Sequence, residues 1–229
     1  MMEASGFELR RRETILRGVS VGRGPSVLFL HAGKERRQVW NPVMAELRRS
    51  TDLRCVAYDQ RGHGESTGRA STIAPFAEDA SAVLTWIGAP TVLVGASLGG
   101  LAALAAAAEA SPGHRILGLV LVDIVPDPDP VPVWAFLKQE GLLPEAAGLA
   151  HDLFARGDEL RQAVADFPGH VMLARAGRSA LTDADLQRFL TYCPEAEVED
   201  FPDATHLVAR DVPAALGAAL GRRLPRWLS

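Results

Sequence analysis

The amino-acid sequence predicts an α/β protein in which helices cover both faces of a mostly parallel central sheet. Several short segments, such as 27–30 and 116–122, are apolar throughout, which is typical of strands buried on both faces. These segments alternate along the chain with segments of helical periodicity, and that order indicates a parallel sheet. A chain of 229 residues can bury a large core in one domain with a small insertion.

The N-terminal part of the chain predicts a hairpin followed by alternating strands and helices. Loose alternation over residues 7–21 indicates a β-hairpin, with Gly22 to Pro25 as its closing turn. Beyond it, continuous apolar runs predict strands, and apolar residues at three- and four-residue spacing predict helices. The predicted strands cover residues 27–30 and 53–58, and the predicted helices cover residues 40–47 and 73–87.

Residues 91–108 contain the pattern around which the rest of the sequence is organised. The β-branched run 91–94 predicts a buried strand, and the Ala- and Leu-rich run after Leu98 predicts a helix. Between them, residues 95–99 read G-x-S-x-G, which places Ser97 at a sharp strand-to-helix turn whose small neighbours allow close backbone approach. A glycine-rich turn with a capping serine fits the same letters, but the flanking strand and helix favour a nucleophile.

The C-terminal half continues the alternation after one insertion. Residues 126–168 break the pattern, because the proline-rich stretch 127–132 predicts a stiff linker and the remainder predicts two or three short helices with aromatic residues. Strands are then predicted at 170–174 and 196–201, and helices at 183–193 and from about residue 213. The predicted units are an α/β core of residues 1–125 and 169–229 and a short helical lid of residues 126–168.

Charge and composition narrow the classes of partner. The net charge of −4, with acids and bases interspersed, argues against a nucleic-acid partner. Cys55 and Cys193 lie far apart, and Cys55 falls in a predicted strand, so we expect a free buried thiol rather than a disulfide. The polar residues 1–12 do not read as a secretory leader, and no apolar run is long enough to span a membrane, so we expect a cytoplasmic protein.

Several motifs in this order make the chain similar to the α/β-hydrolase family over nearly its whole length. Besides the G-x-S-x-G turn, the matching segments are residues 31–33 (HAG), 59–66 (DQRGHGES), 121–123 (LVD) and 203–206 (DATH). The resemblance implies the fold predicted above and a serine-dependent mechanism. It does not identify a substrate, because one fold supports many activities.

The resemblance also implies a role for particular residues. Ser97 would attack a carbonyl carbon, and His206 would accept its proton and return it to the leaving group. The backbone N–H groups of Leu98 and Gly33 would form the oxyanion hole. This chain has Ala32 where the family usually has glycine, which narrows the backbone angles open to that loop.

The acid that would orient His206 is left open by the sequence. The family usually places an aspartate after the seventh strand, in a pattern like G-x-S-D, but the matching residue here is Ala180. Asp123, at the end of the sixth predicted strand, could take this role. Asp183 could do so if the loop is rearranged, although it falls at a predicted helix start. The third possibility is that the site has no acid.

These observations predict a serine hydrolase that acts on a small, largely apolar ester through an acyl-enzyme. We expect a small-molecule substrate, with no nucleic-acid or membrane partner. No spacing typical of a metal site or a dinucleotide-binding loop occurs, so we expect neither a metal nor a cofactor. Two alternatives remain: a repurposed family member acting as a cyclase, lyase or tailoring enzyme, and a non-catalytic receptor for a small ligand.

Overall fold

An eight-stranded sheet forms the centre of the molecule in the computed structural model, which describes residues 4–109 and 115–229. The strands are β1 (Ser5–Arg11), β2 (Thr14–Val21), β3 (Ser26–Leu30), β4 (Arg54–Tyr58), β5 (Thr91–Ala96), β6 (Ile116–Val122), β7 (His170–Arg178) and β8 (Glu197–Thr205). Their order is β1-β2-β4-β3-β5-β6-β7-β8, with β1 and β2 antiparallel to their neighbours and all other pairs parallel. The predicted mostly parallel sheet is confirmed; residues 1–3 and 110–114 of the predicted core lie outside the described residues.

Helices cover both faces of this sheet, as predicted. They are α1 (Asn41–Ser50), α2 (Ala74–Ile87), α3 (Leu98–Ala108), α4 (Pro130–Gln139), α5 (Leu143–Ala165), α6 (Asp183–Tyr192), α7 (Val208–Asp211) and α8 (Pro213–Trp227). The helices α2, α3 and α5 contribute to the core on one face, and α1 and α8 pack together on the other. None of the helices in the described ranges is both long and apolar enough to cross a membrane.

The apolar run of β3 shows why polar and apolar residues do not alternate in the central strands. Every residue of this strand is buried. Leu28 and Leu30 belong to the core beneath α2 and α3, whereas Val27 and Phe29 belong to the core beneath α1 and α8. Because successive side chains of a strand point to opposite faces, a strand covered on both sides needs apolar residues at every position.

The N-terminal hairpin is present, but its predicted closing turn is wrong. Arg11 pairs with Thr14, so a two-residue turn closes the hairpin, and Arg12 in it has a φ of 38°. The predicted turn, Gly22 to Pro25, instead connects β2 to β3. Its glycines are needed there because a Cβ on Gly24 would lie 1.9 Å from the carbonyl oxygen of Asp52. The glycines and the proline do indicate a turn, but it connects β2 to β3 and does not close the hairpin of β1 and β2.

Residues 126–168 form two helices, within the predicted two or three, but the second is long rather than short. The expected stiff linker ends inside α4, because Pro130 opens that helix and the Asp129 side chain accepts a hydrogen bond from the Val131 N–H at 2.9 Å. The 23-residue helix α5 buries apolar side chains in the core shared with α3. Asp152 of α5 also accepts a hydrogen bond from the N–H of Ile73, just before α2, at 2.7 Å. That a segment here acts as a lid stays a prediction.

Candidate active site

Ser97 lies at the sharp turn between β5 and α3. Its φ of 47° and ψ of −114° are values that side-chain-bearing residues rarely adopt. Backbone hydrogen bonds hold it there: its N–H donates to the carbonyl of Val122 at 3.2 Å, and its own carbonyl accepts from the N–H of Leu101 at 3.0 Å. The turn therefore holds the serine side chain at the carboxyl end of the sheet, where ligands of parallel sheets bind.

The two glycines of the G-x-S-x-G pattern are required by close backbone contacts. A Cβ on Gly95 would lie 2.3 Å from the carbonyl oxygen of Gly99. A Cβ on Gly99 would lie 2.2 Å from the carbonyl oxygen of Leu30, in the neighbouring strand. Since backbone atoms cannot move aside as a flexible side chain can, only glycine allows helix α3 to begin this close to β3.

His206 and Asp123 are hydrogen-bonded to each other across the carboxyl ends of β8 and β6. His206 directly follows β8, and its Nδ1 lies 2.8 Å from Oδ2 of Asp123. The Asp123 side chain is fully buried, and its backbone has a φ of 53°. Because carboxylate oxygens accept hydrogen bonds, this contact favours the histidine tautomer with its proton on Nδ1, and that tautomer leaves the Nε2 lone pair free.

The second oxygen of Asp123 is also satisfied. Oδ1 accepts from the N–H of Ala176 at 2.9 Å and from the hydroxyl of Ser179 at 3.1 Å. The Ser179 hydroxyl in turn accepts from the N–H of Leu181 at 3.0 Å. A buried carboxylate with this many donors is held in one orientation. Sequence reasoning did not identify Ser179; the only signal for it was its place beside Ala180 in the family-like loop.

Asp183, the alternative acid, is not brought to His206. It is the first residue of α6, its side chain is 88% exposed, and it forms an ion pair with Arg175. Thr182 caps this helix and exchanges hydrogen bonds with Asp185, which fixes the helix start. The expectation that a rearranged loop could carry Asp183 to the histidine is therefore wrong for this structure, because the helix begins before the side chain could turn inward.

The candidate oxyanion-hole amides begin α3 and follow β3. Leu98 is the first residue of α3, where backbone N–H groups have no partner within the helix. Gly33 is exposed, and a Cβ placed on it would meet no atom within 4 Å, so open space lies beside it. The preceding Ala32 carbonyl accepts from His31 Nδ1 at 2.7 Å and from the Glu35 N–H at 3.2 Å.

His31 supports this loop from the core in its neutral form. The side chain is fully buried, and burial lowers its pKa to about 4. Its Nε2 accepts a hydrogen bond from the Gln60 N–H at 2.9 Å, and the Gln60 side chain donates to the His31 carbonyl at 2.6 Å. Both ring nitrogens are thus used in positioning backbone, which leaves His31 no proton-transfer role.

An aromatic side chain of α4 lies against His206. The Phe136 ring meets the His206 ring edge-on, with centroids 4.9 Å apart. Trp134 packs against Phe154 of α5 with a centroid separation of 5.9 Å. Lys34, in the loop that carries Gly33, forms a 2.7 Å ion pair with Glu145 of α5. The surroundings of the histidine are therefore apolar on the α4 side.

Backbone strain is concentrated at this site. Four non-glycine residues in the described ranges have a positive φ, and three of them lie here: Lys34 at 61°, Ser97 at 47° and Asp123 at 53°. The fourth, Arg12, lies in the hairpin turn. Such conformations persist where the surrounding contacts over-determine them, and they cluster at functional sites.

Hydrogen bonds connect Ser97 to β6 and Asp123 to His206. Among the described residues there is no hydrogen bond between the Ser97 hydroxyl and His206. The Ser97 N–H bonds to Val122, the residue before Asp123, and Asp123 bonds to His206. Catalytic hydrogen bonds are often long before substrate binds. In the described ranges, no group of three or more His, Cys, Asp or Glu side chains is arranged to hold a metal ion.

Comparison with known proteins identifies related sequences and folds. The profile of a family described as alpha/beta hydrolase fold matches residues 25–163, more than half of the chain. The mouse protein phosphatase methylesterase 1 is 34% identical over 110 residues, which cover 44% of this chain. The match spans only 28% of the length of that relative.

Solved structures share this fold over nearly the full chain. An E-2-(acetamidomethylene)succinate hydrolase has a TM-score of 0.78 at 22% identity, covering 97% of this chain and 100% of its own. A haloalkane dehalogenase variant from Bradyrhizobium elkanii has a TM-score of 0.79 at 16% identity, with 98% and 97% covered. A thermophilic esterase from Thermogutta terrifontis has a TM-score of 0.77 at 21% identity, with 94% and 95% covered.

Proposed function

This chain is a hydrolase that belongs to the α/β-hydrolase fold family, and from that premise we propose that it cleaves a small, largely apolar ester through Ser97, His206 and Asp123. The observation that carries the proposal is the 2.8 Å hydrogen bond between His206 and the buried carboxylate of Asp123. It orients the imidazole with its free nitrogen outward, at the same edge of the sheet as the strained turn of Ser97.

The first half of the proposed reaction forms an acyl-enzyme. His206 Nε2 accepts the proton of the Ser97 hydroxyl as its oxygen attacks the ester carbonyl carbon. The carbonyl oxygen becomes an oxyanion, which the N–H groups of Leu98 and Gly33 stabilise. The intermediate collapses, the bond to the leaving oxygen breaks, and the imidazolium returns its proton to the departing alcohol.

The second half releases the acid. A water molecule gives a proton to His206 and attacks the acyl carbon, and a second oxyanion forms in the same hole. Collapse breaks the bond to Ser97, whose oxygen takes the proton back from His206. In both halves Asp123 stays ionised and stabilises the imidazolium without itself accepting the proton.

The proposed substrate class follows from the surroundings of the histidine. Phe136 lies against the His206 ring, and Trp134 and Phe154 pack beside each other in the same two helices. These side chains suit an apolar acyl or alcohol group rather than a charged one. The methylesterase named among the relatives fits a small alcohol as leaving group, so methyl and short-chain esters are the first substrates to test.

Labelling with a fluorophosphonate tests the proposal, together with turnover of p-nitrophenyl butyrate. We expect labelling of the wild type, no labelling of Ser97→Ala, and a loss of kcat on the order of 10⁶-fold in Ser97→Ala and His206→Ala. Ser81→Ala, which removes a partly exposed hydroxyl from α2, is the matched control and should behave as wild type. Labelling of Ser97→Ala to the wild-type extent would contradict the proposal.

The alternatives predict different outcomes. The repurposed enzyme was suggested by Ala180, where the usual acid is missing, but the contact between His206 and Asp123 supports an acid from the neighbouring strand. A non-catalytic receptor predicts that an ester binds and remains intact over hours. A cyclase or lyase predicts labelling of Ser97 with no hydrolysis of any of a panel of short esters.

A further inference from the structure

Glu35, in the loop that carries Gly33, makes hydrogen bonds that sequence reasoning did not anticipate. We propose that Glu35 is a positioning residue for the oxyanion hole: its side chain and backbone together fix the Ala32–Gly33 peptide so that the Gly33 N–H faces the reacting carbonyl. The inference rests on the proposed function. It extends that function by naming a residue that holds this loop in one conformation.

Glu35 contacts Ala32 at both ends of that residue. The Ala32 N–H donates to Oε2 of Glu35 at 3.3 Å, and the Glu35 N–H donates to the Ala32 carbonyl at 3.2 Å. The first bond is one half of a helix capping box, and the second is the backbone bond of a tight turn. Neither of the two peptide units that flank Ala32 can therefore rotate without breaking one of these bonds.

The orientation of the Gly33 N–H follows from peptide geometry. In a trans peptide the C=O of one residue and the N–H of the next point in opposite directions in one plane. The Ala32 carbonyl receives two donors, His31 Nδ1 at 2.7 Å and the Glu35 N–H at 3.2 Å. Both donors hold this carbonyl on the inner side of the loop. The Gly33 N–H is consequently held on the other side, where Gly33 is exposed.

The loop needs such a restraint because its other residues provide little. Gly33 contributes no side chain, and the next residue, Lys34, has a φ of 61°, a conformation costly for a residue with a Cβ. Lys34 itself pairs with Glu145 of α5, and that contact is between exposed side chains and contributes little. Together with the His31 ring, which holds the Ala32 carbonyl, the two Glu35 bonds fix Ala32 relative to the residues that follow it.

Glu35 also lies between the oxyanion loop and the segment that follows β8. The pKa of Glu35 is raised overall, chiefly by burial and also by the charge of Asp211. The hydrogen bond from Ala32 and the charges of Arg210 and His206 act in the opposite direction. Arg210 and Asp211 belong to α7 and His206 lies just before that helix, so the Glu35 carboxyl group lies near the segment that carries the proposed base.

The size of the effect follows from the role of an oxyanion donor. Removing one such donor outright costs about 10²- to 10³-fold in kcat. Loosening the loop, without deleting the N–H, should cost part of that, roughly 10- to 100-fold. The donor acts on the oxyanion and not on bound substrate, so KM should stay within about threefold.

Two near-isosteric variants separate the hydrogen bond from the charge. Glu35→Gln keeps an acceptor oxygen at the same reach but loses the charge, whereas Glu35→Met keeps the length of the side chain but has no oxygen to accept from the Ala32 N–H. We expect kcat of Glu35→Gln within about threefold of wild type and kcat of Glu35→Met lowered roughly 10- to 100-fold. Glu65→Ala, which removes an exposed carboxylate from a neighbouring loop, is the control.

The experiment measures kcat and KM for p-nitrophenyl butyrate, the inhibition constant of a trifluoromethyl ketone, and thermal unfolding for each variant. The ketone forms a tetrahedral adduct with an oxyanion, so its affinity should fall with kcat in Glu35→Met. Equal kcat for wild type and Glu35→Met, equal losses in both variants, or a loss confined to KM would overturn the inference. A wild type that neither reacts with fluorophosphonate nor turns over esters would instead contradict the proposed function.

Discussion

The carboxyl ends of β6 and β7 are adjacent in the sheet, but only the residue after β6 places a carboxylate against His206. At the end of β6, Asp123 leaves the strand with a φ of 53°, and its buried carboxylate contacts His206. At the end of β7, the chain continues through Ser179 to Ala180, and no carboxylate from this loop reaches His206 in the described residues. The β7 loop contributes a hydroxyl to Asp123 instead.

The difference shows that the position of the acid is set by geometry and not by its place in the sequence. The two strand ends lie side by side, so a side chain from either can reach the same imidazole. Catalytic triads with the same geometry occur in unrelated proteins with the three residues in different orders along the chain. Asp183 and Asp185 belong to the β7 side, and both are engaged in holding α6. The carboxylates after β7 thus maintain the helix, while the carboxylate after β6 orients the histidine.

Among the variants that compare the two strand ends, Asp123→Asn has the largest expected effect. The amide would favour the wrong histidine tautomer, and kcat should fall on the order of 10⁴-fold, as in serine proteases with the equivalent change. Asp183→Asn is the matched control, because its side chain is exposed and paired with Arg175, and its kcat should stay within about twofold of wild type. Steady-state turnover of p-nitrophenyl butyrate measures kcat of both variants. A larger loss of kcat in Asp183→Asn than in Asp123→Asn would mean that the acid comes from the β7 side and not from β6.

Asp185→Ala should lower stability and leave turnover nearly unchanged. Burial raises the pKa of Asp185, but hydrogen bonds from Thr182, Asp129 and Arg188 outweigh it, so the pKa lies below the usual 3.8. Removing this buried acceptor should cost about 3 kcal/mol in the free energy of unfolding.

The pH dependence of that stability provides a second check on Asp185. Because its pKa is lower when folded than when unfolded, its stabilisation is present above about 3.8 and is lost as the pH falls below that value. Denaturant unfolding at pH 7 and below pH 4 should therefore show a smaller difference between wild type and variant at the acidic pH. A difference independent of pH, or a large loss of kcat, would contradict the structural role.

Moving the acid tests the comparison directly. Adding Ala180→Asp to Asp123→Asn places a carboxylate on the β7 loop, one residue after the hydroxyl that already touches position 123. We expect this double variant to recover roughly 10- to 100-fold of the kcat lost in Asp123→Asn, since the loop geometry is not optimised for it. No recovery at all would mean that the β7 end cannot substitute for the β6 end.

Ser179→Ala should have the smallest of these effects. The change removes one of two donors to Oδ1 of Asp123, and the N–H of Ala176 remains in place. We expect about 1 kcal/mol less stability and a kcat lowered roughly three- to tenfold. Ser179→Thr keeps the hydroxyl and serves as the control; equal losses in both variants would point to packing rather than to the hydrogen bond.

Local patterns predicted most of this fold, whereas contacts between distant residues did not follow from them. The strand at 91–94, the G-x-S-x-G turn and its helix were all read from consecutive letters. The bond between Asp123 and His206 joins residues 83 positions apart, so the acid had to stay open. Glu35 was missed because its bonds to Ala32 depend on the turn of the loop, which no pattern of consecutive residues predicts.

The insertion was misread for a different reason. The pattern of residues 133–167 predicted two or three short helices, whereas residues 143–165 form a single helix. Gly148 lies inside this helix and packs closely there, since a Cβ would come within 2.7 Å of the Ser71 carbonyl oxygen. A glycine selected for close packing looks, in the sequence, the same as one selected to end a helix.

The three unusual backbone conformations at Lys34, Ser97 and Asp123 have a consequence for how this protein can change over time. Each costs on the order of 1–3 kcal/mol relative to an ordinary conformation, which is a large share of the net stability of a typical domain. Glycine would relieve that cost at any of the three positions, and at two of them it would abolish the proposed chemistry. Selection for heat resistance alone would therefore drive this chain toward a sturdier molecule that no longer reacts.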